Sequence, residues 1–168
     1  MSGARRGVRR SSATMGVMHD FHVVDPSSPP ARWAMEQYFS EIGQAFGFEA
    51  GSALDDAVQA YAPPRGLFVL AGPDDEPVAC GAVQFLDRDR GEIKRMWVAP
   101  WARGRGLAAA LLAYLEGLIR ESGRGQSLLD TNSSLTVAVS LYESRGYHRV
   151  EDYNGNADAD VWFAKDLD

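Results

Sequence analysis

The stretch from Gly91 to Gly106, GEIKRMWVAPWARGRG, constrains this chain more than any other part of it. It begins as a strand, passes a proline-containing turn and ends on an arginine–glycine cluster. That cluster runs directly into an apolar helical pattern, LAAALLAYLEGLI. A strand feeding a glycine-rich turn at a helix N-terminus is suited to phosphate. The first backbone N–H groups of a helix lack intrahelical partners, and the helix dipole adds partial positive charge there. Which phosphate-bearing molecule fits depends on what flanks the turn.

Before it, Phe21 to Val24 reads as a short strand. Pro29 and Pro30 sit where prolines open helices, and Met35, Tyr38, Phe39, Ile42 and Phe46 follow at helical spacing. Gly47 and Gly51 break that helix, and a second, short one spans Ala53 to Tyr61, ahead of Pro63-Pro64. Gly66–Ala71, Pro77–Leu86 and Glu92–Val98 then read as three strands joined by short polar turns, an antiparallel meander. After the turn, a long helix runs from about Arg105 to Glu121, with Leu107, Leu111, Leu115 and Leu118 on its apolar face. A strand at Ser127–Asp130 follows. The next helix is capped by Ser133 or Ser134 and runs to about Arg145. Strands at Tyr147–Val150 and Val161–Ala164 flank a polar loop at 152–158.

Composition narrows the function classes. With 168 residues and 45% apolar content, one domain at 19–168 is expected, preceded by a disordered basic arm at 1–18. No apolar run is long enough to span a bilayer, and the arm lacks the apolar core of a secretory signal. The expectation is a cytoplasmic protein with no membrane partner. The arm holds four arginines and no acid, so the remaining residues carry 13 basic against 23 acidic groups. That balance argues against nucleic acid as a partner and mildly favours a cationic amine. Cys80 is the only cysteine, so no internal disulfide or cysteine-based zinc site is available, and it reads as a buried hydrophobe. His19, His22 and His148 are scattered, and no metal is expected.

Three phosphate loops compete. A Walker A loop needs G-x-x-x-x-G-K-[ST], which the chain lacks. Gly104, Gly106 and Ala109 do satisfy the dinucleotide pattern G-x-G-x-x-A, and Asp130 ends a strand 24 residues beyond Gly106, near the usual place of a ribose-binding acid. Yet five residues, Ala99 to Arg103, separate the strand from the first glycine, and a meander precedes it. A dinucleotide-dependent oxidoreductase is therefore the remote alternative.

The third pattern is Arg103-Gly104-Arg105-Gly106-Leu107-Ala108, an R-x-x-G-x-A run after a strand ending in Val-x-Pro. Here the sequence resembles the GCN5-related N-acetyltransferase (GNAT) superfamily. Glu92–Val98 looks like the family's fourth strand, and Leu141-Tyr142-Glu143-Ser144-Arg145-Gly146-Tyr147 looks like its LYExxGF segment. The resemblance implies an α/β (α+β) fold: a mixed, mostly antiparallel twisted sheet, splayed between strands 4 and 5 and flanked by about four helices.

It also implies acetyl-CoA as cosubstrate and an N-acetyltransferase acting on a primary amine by direct attack in a ternary complex. The acceptor would be a small molecule, and a homodimer is a family habit. Gly104 and Gly106 would let the backbone approach the pyrophosphate, the amides of Arg105 to Ala108 would donate to it, and the Arg103 and Arg105 side chains would be available for the remaining charge. Backbone groups of Met96, Trp97 and Val98 would pair with the pantetheine arm, near Asn132, and the Val98 N–H would polarise the thioester carbonyl. Tyr142 corresponds to the proton donor to sulfur and Glu92 to a base, sharing a strand face with Lys94, opposite Ile93 and Arg95. Tyr153 and Asn154 would touch the acceptor. A non-catalytic acyl-CoA sensor of the same fold is the alternative.

Overall fold

The computed structural model describes residues 20–47 and 53–168. The basic arm at 1–18 and the break at Gly51 lie outside the described residues. In chain order the elements are β1 (Phe21–Val24), α1 (Pro29–Phe46), α2 (Ala53–Ala60), β2 (Gly66–Ala71), β3 (Ala79–Phe85), β4 (Arg90–Val98), α3 (Leu107–Glu121), β5 (Gln126–Thr131), α4 (Thr136–Ser144), β6 (His148–Val150) and β7 (Val161–Asp166). A single 3₁₀ turn, Pro100–Ala102, joins β4 to the glycine-rich loop.

The strands form one seven-stranded sheet in the order β1-β2-β3-β4-β5-β7-β6. Every neighbouring pair is antiparallel except β4 and β5. Among the described residues the β4–α3–β5 crossover is thus the single parallel unit, and they do not form the repeated βαβ halves of a dinucleotide fold. Pairing of β4 with β5 covers only Arg90–Glu92 against Gln126–Leu128. Beyond that point β4 continues to Val98 and β5 to Thr131 without bonding to each other, and the sheet is splayed there.

Helix α1 starts on Pro29 and Pro30, whose missing N–H groups cost nothing in a first turn, and stops at Gly47, left-handed at φ 76°. Helix α3 buries Leu107, Leu111, Leu115 and Ile119 against the sheet, each contributing roughly 2 kcal/mol. It lies so close that a Cβ at Gly81 would stand 2.7 Å from Leu115 Cδ1, and one at Gly91 2.8 Å from Ile119 Cγ1.

The apolar face of α3 also carries a buried acid, Glu116. Its carboxylate accepts from Lys165 Nζ at 3.0 and 3.2 Å and from Tyr147 Oη at 3.1 Å, and Tyr147 Oη shares a 2.7 Å bond with Ser127 Oγ. The helix is thereby tied to β5, β7 and the residue before β6.

Two local expectations are corrected. Helix α4 begins at Thr136, and neither Ser133 nor Ser134 caps it. Ser133 instead donates from its backbone N and Oγ to Asp160, and Ser134 does the same to Asn132 Oδ1. Strict alternation along β4 also fails. Arg95 is left-handed at φ 58°, and the β3 register slips between Cys80 and Ala82, so Arg95 and Met96 together oppose Gly81. The bulge turns Arg95 towards α1, where its guanidinium lies over Tyr38 and Phe39. Arg95 therefore joins the side of Glu92 and Lys94 rather than opposing it.

Candidate active site

The glycine-rich loop ends in two left-handed residues, Gly104 at φ 77° and Gly106 at φ 78°. A Cβ on either would meet no atom within 4 Å, so both face open space. Gly106 precedes α3 with no side-chain cap on the helix amides. The amides of Leu107 and Ala108 thus have no side-chain cap at the positive end of a 15-residue helix, where an anion is favoured. The Arg103 guanidinium is not free for the same ligand. Its Nε donates to the Val98 carbonyl at 2.9 Å and its Nη2 pairs with Glu41 of α1 at 2.5 Å. Arg105 is exposed and forms no ion pair among the described residues.

Where β4 and β5 part, a cleft of about 470 Å³ opens. One wall is α1, with Tyr38 and Ile42. Another is α4, with Leu135, Ala138 and Tyr142. The floor is Lys94, Arg95 and Met96 of β4 together with Asp130 and Thr131 of β5. Asn132 lines it too, with Oδ1 committed to Ser134. Trp97 is turned away, its ring packed edge-on against Trp33 at 5.9 Å.

Tyr142 is 9% exposed and sits between the rings of Tyr147 and Phe163, each 6.0 Å away. Its hydroxyl has no hydrogen-bond partner among the described residues. Burial pushes its pKa well above the usual tyrosine value, so the phenol keeps its proton across the physiological range.

Glu92 is 2% exposed and lies outside the cleft lining. Its Oε2 accepts from Tyr153 Oη at 2.5 Å and Asn154 Nδ2 at 3.0 Å, and its Oε1 pairs with Lys94 Nζ at 3.0 Å. Burial, then the Glu92 charge, pushes the Tyr153 pKa upward, which keeps Tyr153 a donor. Asn154 also donates to Asp130 Oδ2 at 2.6 Å and accepts from Trp162 Nε1 at 2.9 Å, while Asn156 donates to the same Asp130 oxygen at 3.2 Å. Glu92, Tyr153 and Asn154 are thus brought together, but on one another.

The acids and bases that face the cleft are different ones. Asp130 lines it, with Oδ1 4.0 Å from Lys94 Nζ. Arg95 lines it as well. In the sequence Asp130 reads only as a ribose-type acid at a strand end, and alternation sets Arg95 opposite Glu92. The Arg95 displacement follows from a bulge that residue type does not announce. Cys80 is fully buried, donates to the Arg95 carbonyl at 3.4 Å, and is held protonated by burial, which removes it as a nucleophile. Among the described residues no three His, Cys, Asp or Glu side chains form a metal-binding group.

The open loop, uncapped helix and splayed strands fit a pyrophosphate joined to an extended arm. The family model of the acetyltransferase (GNAT) family matches residues 30–147. Over 126 residues the chain is 30% identical to the uncharacterised N-acetyltransferase C1271.07c of Schizosaccharomyces pombe, covering 73% of this chain and 77% of the relative. It is 31% identical over 114 residues to the IAA acetyltransferase of Azospirillum brasilense, covering 67% and 73%. Its fold superposes, with a TM-score of 0.66 and 15% identity, on a GNAT family acetyltransferase of Elizabethkingia anophelis with acetyl-CoA bound, covering 88% and 97% of the two chains. The chain belongs to the GNAT acetyltransferase family, and its chemistry is that of an acyl-CoA-dependent N-acyltransferase.

Proposed function

We propose that this protein transfers an acetyl group from acetyl-CoA to the primary amine of a small molecule, by direct attack while both are bound. The observation that carries the proposal is the gap between β4 and β5. The unpaired ends of the two strands open onto a cleft with a protonated Tyr142 on one wall and Asp130 on the floor.

Acetyl-CoA supplies the acyl group already activated as a thioester. The backbone amides from Arg105 to Ala108 hold its pyrophosphate, Arg105 adds charge at the rim, and Arg103 braces the loop against Glu41. Backbone groups of Met96, Trp97 and Val98 bind the arm in the gap, beside Asn132, and the Val98 N–H withdraws charge from the acyl oxygen. Tyr142 Oη holds the proton that the departing sulfur takes. Asp130 Oδ1 receives the proton from the amine. Glu92 supports this side from behind: it fixes Lys94 and the loop of Tyr153 and Asn154 without reaching the acceptor itself. The domain at 19–168 is taken to act in the cytoplasm, in keeping with the absence, among the described residues, of a helix long and apolar enough to cross a membrane.

The test is release of free thiol from acetyl-CoA in the presence of a panel of primary amines. Amine-dependent release is expected. Tight binding of CoA with no release for any amine would leave an acyl-CoA sensor as the better description.

A further inference from the structure

Arg95 is held at an unusual expense. It sits in the left-handed region at φ 58°, where an arginine is strained and a glycine is not. Its guanidinium lies over Phe39 at 4.9 Å, Tyr38 at 5.6 Å and Tyr61 at 6.0 Å. Tyr61 is 1% exposed and Phe39 5%, so the cation is set among buried rings. Its Nε is buried without any hydrogen-bond partner. Among the described residues no carboxylate comes within ion-pairing distance of it. Aromatic faces attract a guanidinium, but they do not satisfy its in-plane N–H donors. The Tyr38 and Tyr61 hydroxyls ease the charge of the guanidinium but leave its Nε without a partner. A desolvated cation with an unbonded donor is costly in a folded chain, and strained residues cluster where a ligand uses them.

The neighbouring charges show what the ligand would be. Arg95, Lys94, Asp130 and the exposed Asp158 line the same cleft. Lys94 is taken by Glu92 at 3.0 Å. Asp130 has Oδ2 occupied by Asn154 and Asn156, while Oδ1 has only the 4.0 Å contact with Lys94. Burial works against the Arg95 charge, while Tyr61, Tyr38 and, to the least extent, Asp130 favour it. Among the described residues the cleft thus presents a planar cation with no carboxylate partner and, lining the same space, an available carboxylate oxygen. Tyr38, Ile42, Phe46 and Leu135 supply apolar walls around them.

From this geometry we infer that Arg95 binds a carboxylate of the acceptor, and that the acceptor is an amino acid with an apolar side chain, its ammonium on Asp130 and its carboxylate on the guanidinium. This inference rests on the transferase proposed above and names its substrate class. It reverses the expectation drawn from net charge, since the local field at Arg95 selects an anion whatever the overall balance of −6.

The test pairs phenylalanine with phenylalaninamide as acceptors, and N-acetylphenylalanine with its amide as ligands measured by calorimetry on the CoA-saturated protein. The proteins are the wild type, Arg95→Lys and Arg95→Gly. The glycine variant suits φ 58° and is checked for folding by its melting temperature. The free acid is expected to exceed the amide about 100-fold in kcat/KM. Arg95→Gly is expected to abolish that preference, bringing the acid-to-amide ratio of kcat/KM to about 1, and Arg95→Lys to restore part of it.

Equal use of acid and amide by the wild type, or a preference that survives in Arg95→Gly, overturns the inference while leaving the transferase intact. Arg95-dependent binding of N-acetylphenylalanine with no turnover of any amine supports the carboxylate site and overturns the transferase instead. No binding of N-acetylphenylalanine to the wild type overturns the site.

Discussion

Tyr153 donates its hydroxyl proton to Glu92 Oε2 across 2.5 Å, joining the loop before β7 to the paired half of β4, 61 residues earlier in the chain. This bond, with Lys94 on the other oxygen of the carboxylate, makes Glu92 a buried anchor rather than an open base. Replacing Glu92 with Gln leaves Lys94, 17% exposed, with only the distant Asp130. The expected loss is about 3 kcal/mol of unfolding free energy in urea titration. Tyr153→Phe costs about 1–2 kcal/mol by leaving one carboxylate oxygen short of a donor.

Tyr142→Phe separates chemistry from folding. The hydroxyl makes no bond among the described residues, so the variant is expected to stay within about 1 kcal/mol of wild-type stability. If the phenol supplies the proton to sulfur, kcat falls by about 100-fold, with CoA affinity unchanged by calorimetry.

The glycines divide by what surrounds them. At Gly66 an added Cβ would lie 2.3 Å from the Val83 carbonyl oxygen and 2.8 Å from that of Ala60, both backbone atoms. Gly66→Ala is expected to lose about 3 kcal/mol, lowering Tm by roughly 6–12 °C. Gly104→Ala meets no atom and carries only left-handed strain, about 1–2 kcal/mol, but its methyl would project into the space assigned to pyrophosphate. Calorimetry should show weaker CoA binding for Gly104→Ala and unchanged binding per folded molecule for Gly66→Ala.

Alkaline pH provides a further check. Tyr61, Tyr142, Tyr147 and Tyr153 all have pKa values raised above the ordinary 10.0, with burial the leading cause. A raised folded value means that the fold holds the proton more tightly than the unfolded chain does. Their contribution is fully present below pH 10 and is lost as pH climbs from there through the raised values. Phenolate absorbance of these four is expected to appear together with loss of the folded circular dichroism signal. Independent titration of all six tyrosines in a folded protein would contradict the burial described.

Much of the frame was legible in the sequence because it depends on local patterns. The strand at 66–71 matches its continuous apolar run between turn residues to the residue. The long helix begins two residues later than its pattern implies, since Gly106, at φ 78°, belongs to the loop. The turn ahead of α3 is legible in Gly104 and Gly106, and the place of Tyr142 on α4 in its helical spacing.

What escaped depends on partners far along the chain. The fate of Arg103 is decided by Glu41, and that of Glu92 by Tyr153 and Asn154. Glu116 hides in an apolar stripe because Lys165 and Tyr147 come to meet it. Ser133 and Ser134 are good capping residues drawn off by Asp160 and Asn132. The bulge at Arg95 is stated by no turn residue, and it decides which charges face the cleft.

Initial-velocity kinetics of thiol release, with acetyl-CoA and amine varied together, test the central claim most directly. Direct attack in a ternary complex predicts amine-dependent release with intersecting double-reciprocal lines. Parallel lines, or no release with any amine at saturating acetyl-CoA, would contradict it.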